Sequence, residues 1–145
     1  MTLKVSTGLR NKLMDTGSLK SIFAAGFIKI YSGSAPADAD AAVTGTLLCT
    51  VSISSGGTGI NFDTAAASGV LSKAPAETWS GVCTGGTAGY YRHVAAGDTG
   101  VSSTTEARLQ GNVATLGSDL NLSSTTLVGA ATQTIDFYSV TLPAA

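Results

Sequence analysis

Hydrophobic and polar residues alternate with a period of two along most of the chain after residue 26. In FIKIY, residues 27–31, Ile28 and Ile30 fall on one face. TLLCTVSI, residues 46–53, alternates in the same way. A period of two is typical of a strand that buries one face and leaves the other more polar. These two stretches therefore predict neighbouring half-buried strands.

Further strand candidates follow at short intervals, separated by turns rich in glycine and small polar residues. They are GVLSK (69–73), TWSGV (78–82), AGYYRHVA (88–95), TEARLQGNV (105–113), DLNL (119–122), TLV (126–128) and TQTIDFYSVTLP (132–143). No long helical pattern separates them, so parallel βαβ units are not expected. The sequence predicts an all-β fold, an antiparallel β-sandwich or jelly roll of about eight strands.

Two strand candidates carry particular expectations. In residues 105–113 the alternation predicts that Leu109 is buried and that Arg108 and Gln110 face the other way. The last run changes phase after Phe137. The change predicts that both faces are covered there, or that a bulge at 137–138 re-aims the strand.

The first residues follow a helical period instead. Residues 6–18 predict one short amphipathic helix, capped at its start by Ser6 or Thr7. We therefore expect an N-terminal helical arm over residues 1–26 and a β-sandwich domain over residues 27–145.

The N-terminal arm combines apolar side chains with most of the positive charge. Residues 1–29 hold five basic residues and one acidic residue, a net charge of +4, and the remainder carries −5. The arm is predicted to be a solvated basic helix, a helix that caps its own sandwich, or a contact with an acidic partner or a second copy. The candidate interface residues are Leu9, Arg10, Leu13, Met14, Ile22 and Phe23.

Composition narrows the class of protein. Only 12% of the 145 residues are charged, the net charge is −1, and small residues, including 18 glycines, are abundant. A chain without a basic surface is not expected to bind nucleic acid. Residues 1–17 lack the apolar core of a signal peptide, and the apolar segment 21–31 is too short to span a bilayer. We expect synthesis in a cytoplasm and no membrane partner.

The segment SGSAPADADAA, residues 32–42, is the first place to look for a site. Asp38 and Asp40 favour a helical turn that begins near Ser34, with the carboxylates close to its positive end. A calcium ion requires six to eight oxygen ligands, and the next acid, Asp63, is remote in sequence. The segment is therefore interpreted as a connection without a metal.

Other chemistry is sparse. The single histidine, His93, is expected to be a hydrogen-bonded strand residue, because its combination with Asp98 and one of many serines carries no geometric information. No GxSxG motif and no complete phosphate-binding loop is present. Trp79 is predicted to lie in the core. Cys49 and Cys83 are predicted to be buried free thiols, with a disulfide only if they face each other. No catalytic residue, metal or cofactor is predicted.

Four segments carry a resemblance: LKVSTGLRNKLMDTGS (3–18), FIKIYSGSAPADADAAVTGTLLCTVS (27–52), GTAGYYRHVAAGDTG (86–100) and TLVGAATQTIDFYSVTLPA (126–144). Together they resemble a group of small virion proteins of tailed bacteriophages and prophages. The resemblance covers nearly the full length and includes no catalytic motif. It implies a structural protein of the virion, made in the cytoplasm of the bacterial host.

The resemblance implies a capsid decoration or cement protein, a homo-oligomer bound to the major capsid protein or other virion proteins. A neck or tail component is the first alternative. A carbohydrate-binding module of the virion is the second, with Trp79, Tyr90 and Tyr91 stacking on sugar. An enzyme is not expected.

Overall fold

The computed structural model describes residues 3–144, and most of its regular elements are strands. In chain order they are β1 (Lys4–Val5), α1 (Thr7–Asp15), α2 (Leu19–Ile22), β2 (Phe27–Ser32), β3 (Leu47–Ile53), β4 (Val70–Ser72), β5 (Trp79–Val82), β6 (Gly86–Val94), β7 (Arg108–Ala114), β8 (Leu120–Asn121), β9 (Thr126–Leu127), β10 (Thr132–Ile135) and β11 (Ser139–Thr141). Neighbouring strands pair antiparallel, except that β7 and β8 run parallel. The all-β prediction is confirmed.

The strands form one large sheet and one small one. The large sheet has the order β1-β7-β6-β2-β3-β5-β10, with β8 beside β7 and β9 beside β6. The small sheet consists of β4 and β11. The strand β3 pairs with β2 through Leu47–Val51 and with β5 through Ser52 and Ile53, so it joins the two halves of the large sheet.

One face of the large sheet carries the main core. Ile28 lies opposite both Val51 and His93, and Leu109 lies opposite His93 on the next strand. These side chains are buried, as the period of two predicts. Trp79 is also fully buried, which confirms its assignment to the core.

The N-terminal segment packs on the edge of this sheet. Strand β1 pairs with β7. Ser6 is the N-cap of α1: its hydroxyl accepts the Leu9 N–H (3.1 Å) and donates to Glu106 O (2.7 Å). Leu9 and Phe23 are fully buried in the main core. The sequence-predicted helix thus exists, and its inner side chains belong to the protein's own interior.

The last apolar run forms two strands. Strand β10 pairs with β5 and ends at Ile135, while β11 pairs with β4 in the small sheet. Between them Phe137 is exposed and Tyr138 is buried. The change of phase in the sequence therefore marks the point where the chain leaves one sheet for the other.

Candidate functional site

The second face of the large sheet carries polar side chains that are buried. Arg92 on β6 and Arg108 and Gln110 on β7 are at most 1% exposed. The connection between β2 and β3, residues 33–46, lies over them and supplies most of their hydrogen-bond acceptors. We call these three side chains and the connection the polar face.

Arg108 is the centre of the polar face. Its Nε and Nη2 donate to the two carboxylate oxygens of Asp98 at 2.6 and 2.8 Å, a bidentate ion pair with both side chains fully buried. The same guanidinium donates to the carbonyls of Val101 (2.6 Å), Ala39 (3.1 Å) and Asp40 (3.4 Å). Every one of its nitrogens is therefore used inside the protein.

Asp98 is held in its charged form by this geometry. Burial on its own raises the pKa of the Asp98 carboxyl, but hydrogen bonds from Arg108 and from the Gly100 N–H outweigh burial. The pKa consequently lies below its ordinary value. Because a buried pair needs both partners, removal of either charge leaves the other uncompensated.

Arg92 and Gln110 continue the polar face. Arg92 Nε donates to Gln110 Oε1 at 2.9 Å, and its Nη2 donates to Ala41 O at 2.8 Å and Asp38 O at 3.4 Å. Gln110 Nε2 donates to Pro36 O at 2.9 Å. The arginines thus bind backbone carbonyls of this chain, which is a structural use of groups that elsewhere bind anions.

The far end of the connection is fixed by an aromatic pair. Tyr90 OH donates to Thr44 O (2.6 Å) and accepts the Thr44 N–H (2.9 Å), and the Tyr90 ring stacks on Tyr31 with centroids 5.1 Å apart. Gly45 has φ +72°, and a Cβ there would lie 2.0 Å from Ser32 O. Only glycine fits where the connection returns to β3.

The helical turn predicted near Ser34 is absent from the described chain, and the segment has an irregular backbone. Its carbonyls accept from Arg92, Arg108 and Gln110 instead of from amides one turn later. Strong side-chain donors on the sheet therefore replace the intrahelical bonds that a local prediction assumes.

The two aspartates of the connection have separate local roles. The Asp38 carboxylate accepts the Ala41 N–H at 2.8 Å. The Asp40 carboxylate accepts the Thr7 N–H (2.7 Å) and the Thr7 hydroxyl (2.6 Å) at the start of α1. These hydrogen bonds, with the nearby charges of Arg10 and Arg108, hold the pKa of the Asp40 carboxyl below its ordinary value. Asp40 thus serves a helix start, but the helix is α1.

His93 lies on the opposite, apolar face among aromatic rings. Its ring centroid is 4.6 Å from that of Phe23, 5.3 Å from Phe62 and 5.5 Å from Tyr138. Nδ1 lies 3.3 Å from the Tyr138 hydroxyl, and Nε2 has no hydrogen-bond partner among the described residues. Burial lowers the pKa of His93 to about 3. His93 was expected to be hydrogen-bonded, and only one of its two ring nitrogens has a partner. Asp98 is paired with Arg108 and not with His93.

The structure divides the six candidate interface residues. Leu9 and Phe23 are fully buried, and Ile22 is partly buried against the core. The other three lie at positions i, i+3 and i+4 of α1 and share its outer face: Arg10, Leu13 and Met14. Leu13 is 40% exposed and Met14 is 88% exposed. We call these three residues the outer face of α1.

A shallow apolar groove of about 310 Å³ lies next to α2. It is lined by Leu19, Ala65, Ala66, Leu71, Val140 and Leu142. Lys20 stands at this groove and donates to Thr64 O at 2.7 Å. The N-terminal segment therefore contributes to two exposed apolar surfaces.

The aromatic side chains suggested for sugar stacking are interior. Trp79, Tyr90 and Tyr91 are each at most 1% exposed. The tyrosines form the contacts already described or pack in the core, and burial raises the pKa of Tyr91. These three rings offer no surface on which a sugar could stack.

Within residues 3–144 the chain contains no group of three or more His, Cys, Asp or Glu side chains placed to hold a metal ion. None of the helices in this part of the chain has the length and apolar character needed to cross a bilayer.

Comparison of the chain with protein-family models, with curated proteins and with solved structures found no match in any of the three.

Sequence reasoning missed the importance of Arg92, Arg108 and Gln110. The strand alternation placed Arg108 and Gln110 correctly on the face opposite Leu109, but the usual inference is that such a face meets water. One signal was present. The connection 33–46 is longer than the two to five residues that join most paired antiparallel strands, so it has the length to fold back over a sheet face.

Proposed function

We propose that this protein is a structural component of a tailed-bacteriophage virion, of the capsid decoration or cement kind, which binds the coat through the outer face of α1. The observation that carries the proposal is the exposure of Leu13 and Met14 beside Arg10 on a helix whose inner face is already buried.

This surface combines apolar contact area with positive charge. Leu13 and Met14 add apolar area, which is the main favourable contribution to association. Arg10 and Lys12 lie on the same helix, in the segment that holds the net charge of +4. A partner with an acidic, partly apolar surface is complementary to it.

The titratable groups that catalysis would use have intramolecular roles here. Asp98 is paired with Arg108, Asp40 binds Thr7, and the pKa of His93 is depressed by burial. A role in binding rather than in chemistry agrees with this use of the side chains. The resemblance to phage virion proteins directs the binding role to a particle.

The direct test uses particles of the phage or prophage whose genome encodes the chain. Purified virions should contain the protein, at a copy number equal to that of the coat protein or a simple fraction of it. About a dozen copies, or a number that scales with tail length, would favour the neck or tail alternative. Its absence from purified virions would refute the proposal.

A matched pair of variants tests the surface. Leu13→Glu with Met14→Glu should reduce co-sedimentation with capsids that lack the protein by at least about tenfold, since it places two charges in the contact. Leu116→Glu with Val128→Glu makes the same change at side chains 87% and 66% exposed elsewhere, and should bind like the wild type. Equal binding by both variants would locate the contact elsewhere.

The sugar-binding alternative has no observation in its favour, because the rings it requires are buried.

A further inference from the structure

We propose that Cys49 and Cys83 are a cross-strand cysteine pair that closes to an intramolecular disulfide when the protein meets a small disulfide oxidant such as oxidised glutathione. This modification site is independent of the proposed function.

The register of β3 and β5 brings the two cysteines opposite each other. Ser52 pairs with Ser80 and Ile53 with Trp79 in an antiparallel ladder. The same register, continued toward the start of β3, places Cys49 opposite Cys83. The next pair of this register is Leu48 with Thr84, and the Thr84 N–H donates to Leu48 O at 2.8 Å. This hydrogen bond shows that the register extends past the two cysteines.

The hydrogen-bond pattern also identifies the type of pair. The Ser54 N–H donates to Thr78 O at 2.7 Å, so backbone bonds join alternate pairs of this ladder. Cys49 and Cys83 fall between such pairs, and the Cys83 N–H donates outward to Ala131 O at 2.9 Å. In a pair of this kind the Cα atoms are about 4.5 Å apart and the side chains are closest. That separation lies within the range of disulfides.

The positions of the two sulfur atoms agree with the register. A Cβ on Gly81 would lie 2.7 Å from Cys49 Sγ, so this sulfur extends over β5. Cys83 Sγ lies 3.9 Å from Gly81 O on the same strand. Both sulfurs therefore lie beside Gly81, whose missing side chain leaves room for them.

Burial controls how fast the pair reacts. Both cysteines are buried, and the pKa of Cys49 is raised to about 12, first by burial and then by its interaction with Cys83. Little Cys49 thiolate is present in the folded protein at neutral pH, and the thiolate is the reacting species. We expect slow oxidation of the folded protein and rapid oxidation during refolding.

The chemistry is a two-step exchange. One cysteine thiolate attacks a sulfur of oxidised glutathione, forms a mixed disulfide and releases one glutathione. The second cysteine thiolate attacks the protein sulfur of the mixed disulfide and releases the other glutathione. The protein loses two protons and two electrons, and the oxidant becomes two thiols.

The test refolds reduced protein in a glutathione buffer that is either reducing or oxidising. In the oxidising buffer the intact mass should fall by about 2 Da, and neither cysteine should react with a thiol reagent after denaturation. The disulfide closes a loop of about 35 residues, so Tm should rise by about 10 °C over the reduced protein.

Cys83→Ala is the matched control, since it keeps Cys49 and cannot form the internal bond. Its Tm should be the same in both buffers. Two reactive thiols after oxidative refolding, a disulfide-linked dimer, or an internal disulfide that lowers Tm would each overturn the proposal.

Discussion

Arg108 and Leu109 are neighbours on β7, equally buried, and point to opposite faces of the same sheet. Leu109 packs among apolar side chains across from His93, whereas Arg108 is surrounded by Asp98 and backbone carbonyls. One face is filled by the hydrophobic effect and the other by a hydrogen-bonded network under a connecting segment. Polar residues that alternate with apolar ones along a strand can therefore be buried instead of exposed to solvent.

Truncating Arg108 and Leu109 in turn should have the largest effects on stability and tests the difference between the two faces most strongly. Arg108→Ala should lower the free energy of unfolding by about 3–5 kcal/mol, because it leaves the Asp98 carboxylate buried without its partner. Leu109→Ala should lower it by about 2–5 kcal/mol through loss of apolar contact and a cavity. Urea unfolding at neutral pH measures both.

Arg10→Ala is the matched control for Arg108→Ala, since Arg10 is exposed on α1. Its effect should stay within about 0.5 kcal/mol. If Arg108→Ala were as mild as Arg10→Ala, the polar face would be a solvated surface.

The apolar face should respond to mild acid through His93. Its pKa is lowered from 6.5 to about 3 by burial, so the neutral form is required in the folded protein. Stability should be complete above pH 6.5 and decline as pH falls toward 3, by on the order of 2 kcal/mol at about pH 5. His93→Leu should abolish this slope when each protein is compared with itself at about pH 7.5 and pH 5.

The polar face should respond only in stronger acid. The pKa of the Asp98 carboxyl lies below 3.8, so its contribution is present above that value and is lost as pH falls below it. In the His93→Leu variant, a loss of stability that begins only below about pH 4 would report the protonation of Asp98. A loss of stability that still begins near pH 6.5 in this variant would contradict the assignment of the mild-acid effect to His93.

A smaller effect separates the two aspartates of the connection. Asp40→Ala should destabilise by about 1 kcal/mol, because the carboxylate accepts the Thr7 N–H at the start of α1. Asp38→Ala removes only a local bond to the Ala41 N–H and should cost about half as much. Equal effects measured by thermal unfolding would mean that Asp40 does not support α1.

The sequence predicted the apolar face better than the polar face, because apolar burial leaves a periodic pattern in the sequence and hydrogen bonding to distant carbonyls does not. Ile28 and Leu109 were predicted as buried because apolar periodicity reports burial directly, and Trp79 was predicted as buried from its large aromatic side chain. The helix start at Ser6 was predicted from its residue type. The short pairing of Lys4–Val5 with β7 was not predicted, because two residues carry no period.

The polar face could not be predicted in the same way. The carbonyls that Arg92 and Arg108 bind come from residues about 50 to 70 positions away in sequence, and a carbonyl has no residue-type signature. The pairing of Cys49 with Cys83 likewise depends on a strand register that becomes visible only when β3 and β5 are placed side by side.

The central claim is that the connection 33–46 is held in one conformation over the buried side chains of the polar face, and native-state hydrogen exchange tests it without a mutation. The Val43 N–H donates to Gly100 O and the Thr44 N–H to Tyr90 OH, both above the polar face. These two amides should exchange at least about a hundredfold more slowly than those of Ala65 and Ala66 in an exposed loop, and Arg108→Ala should remove most of that protection. Exchange of Val43 and Thr44 as fast as Ala65 and Ala66 in the wild-type protein would contradict the account.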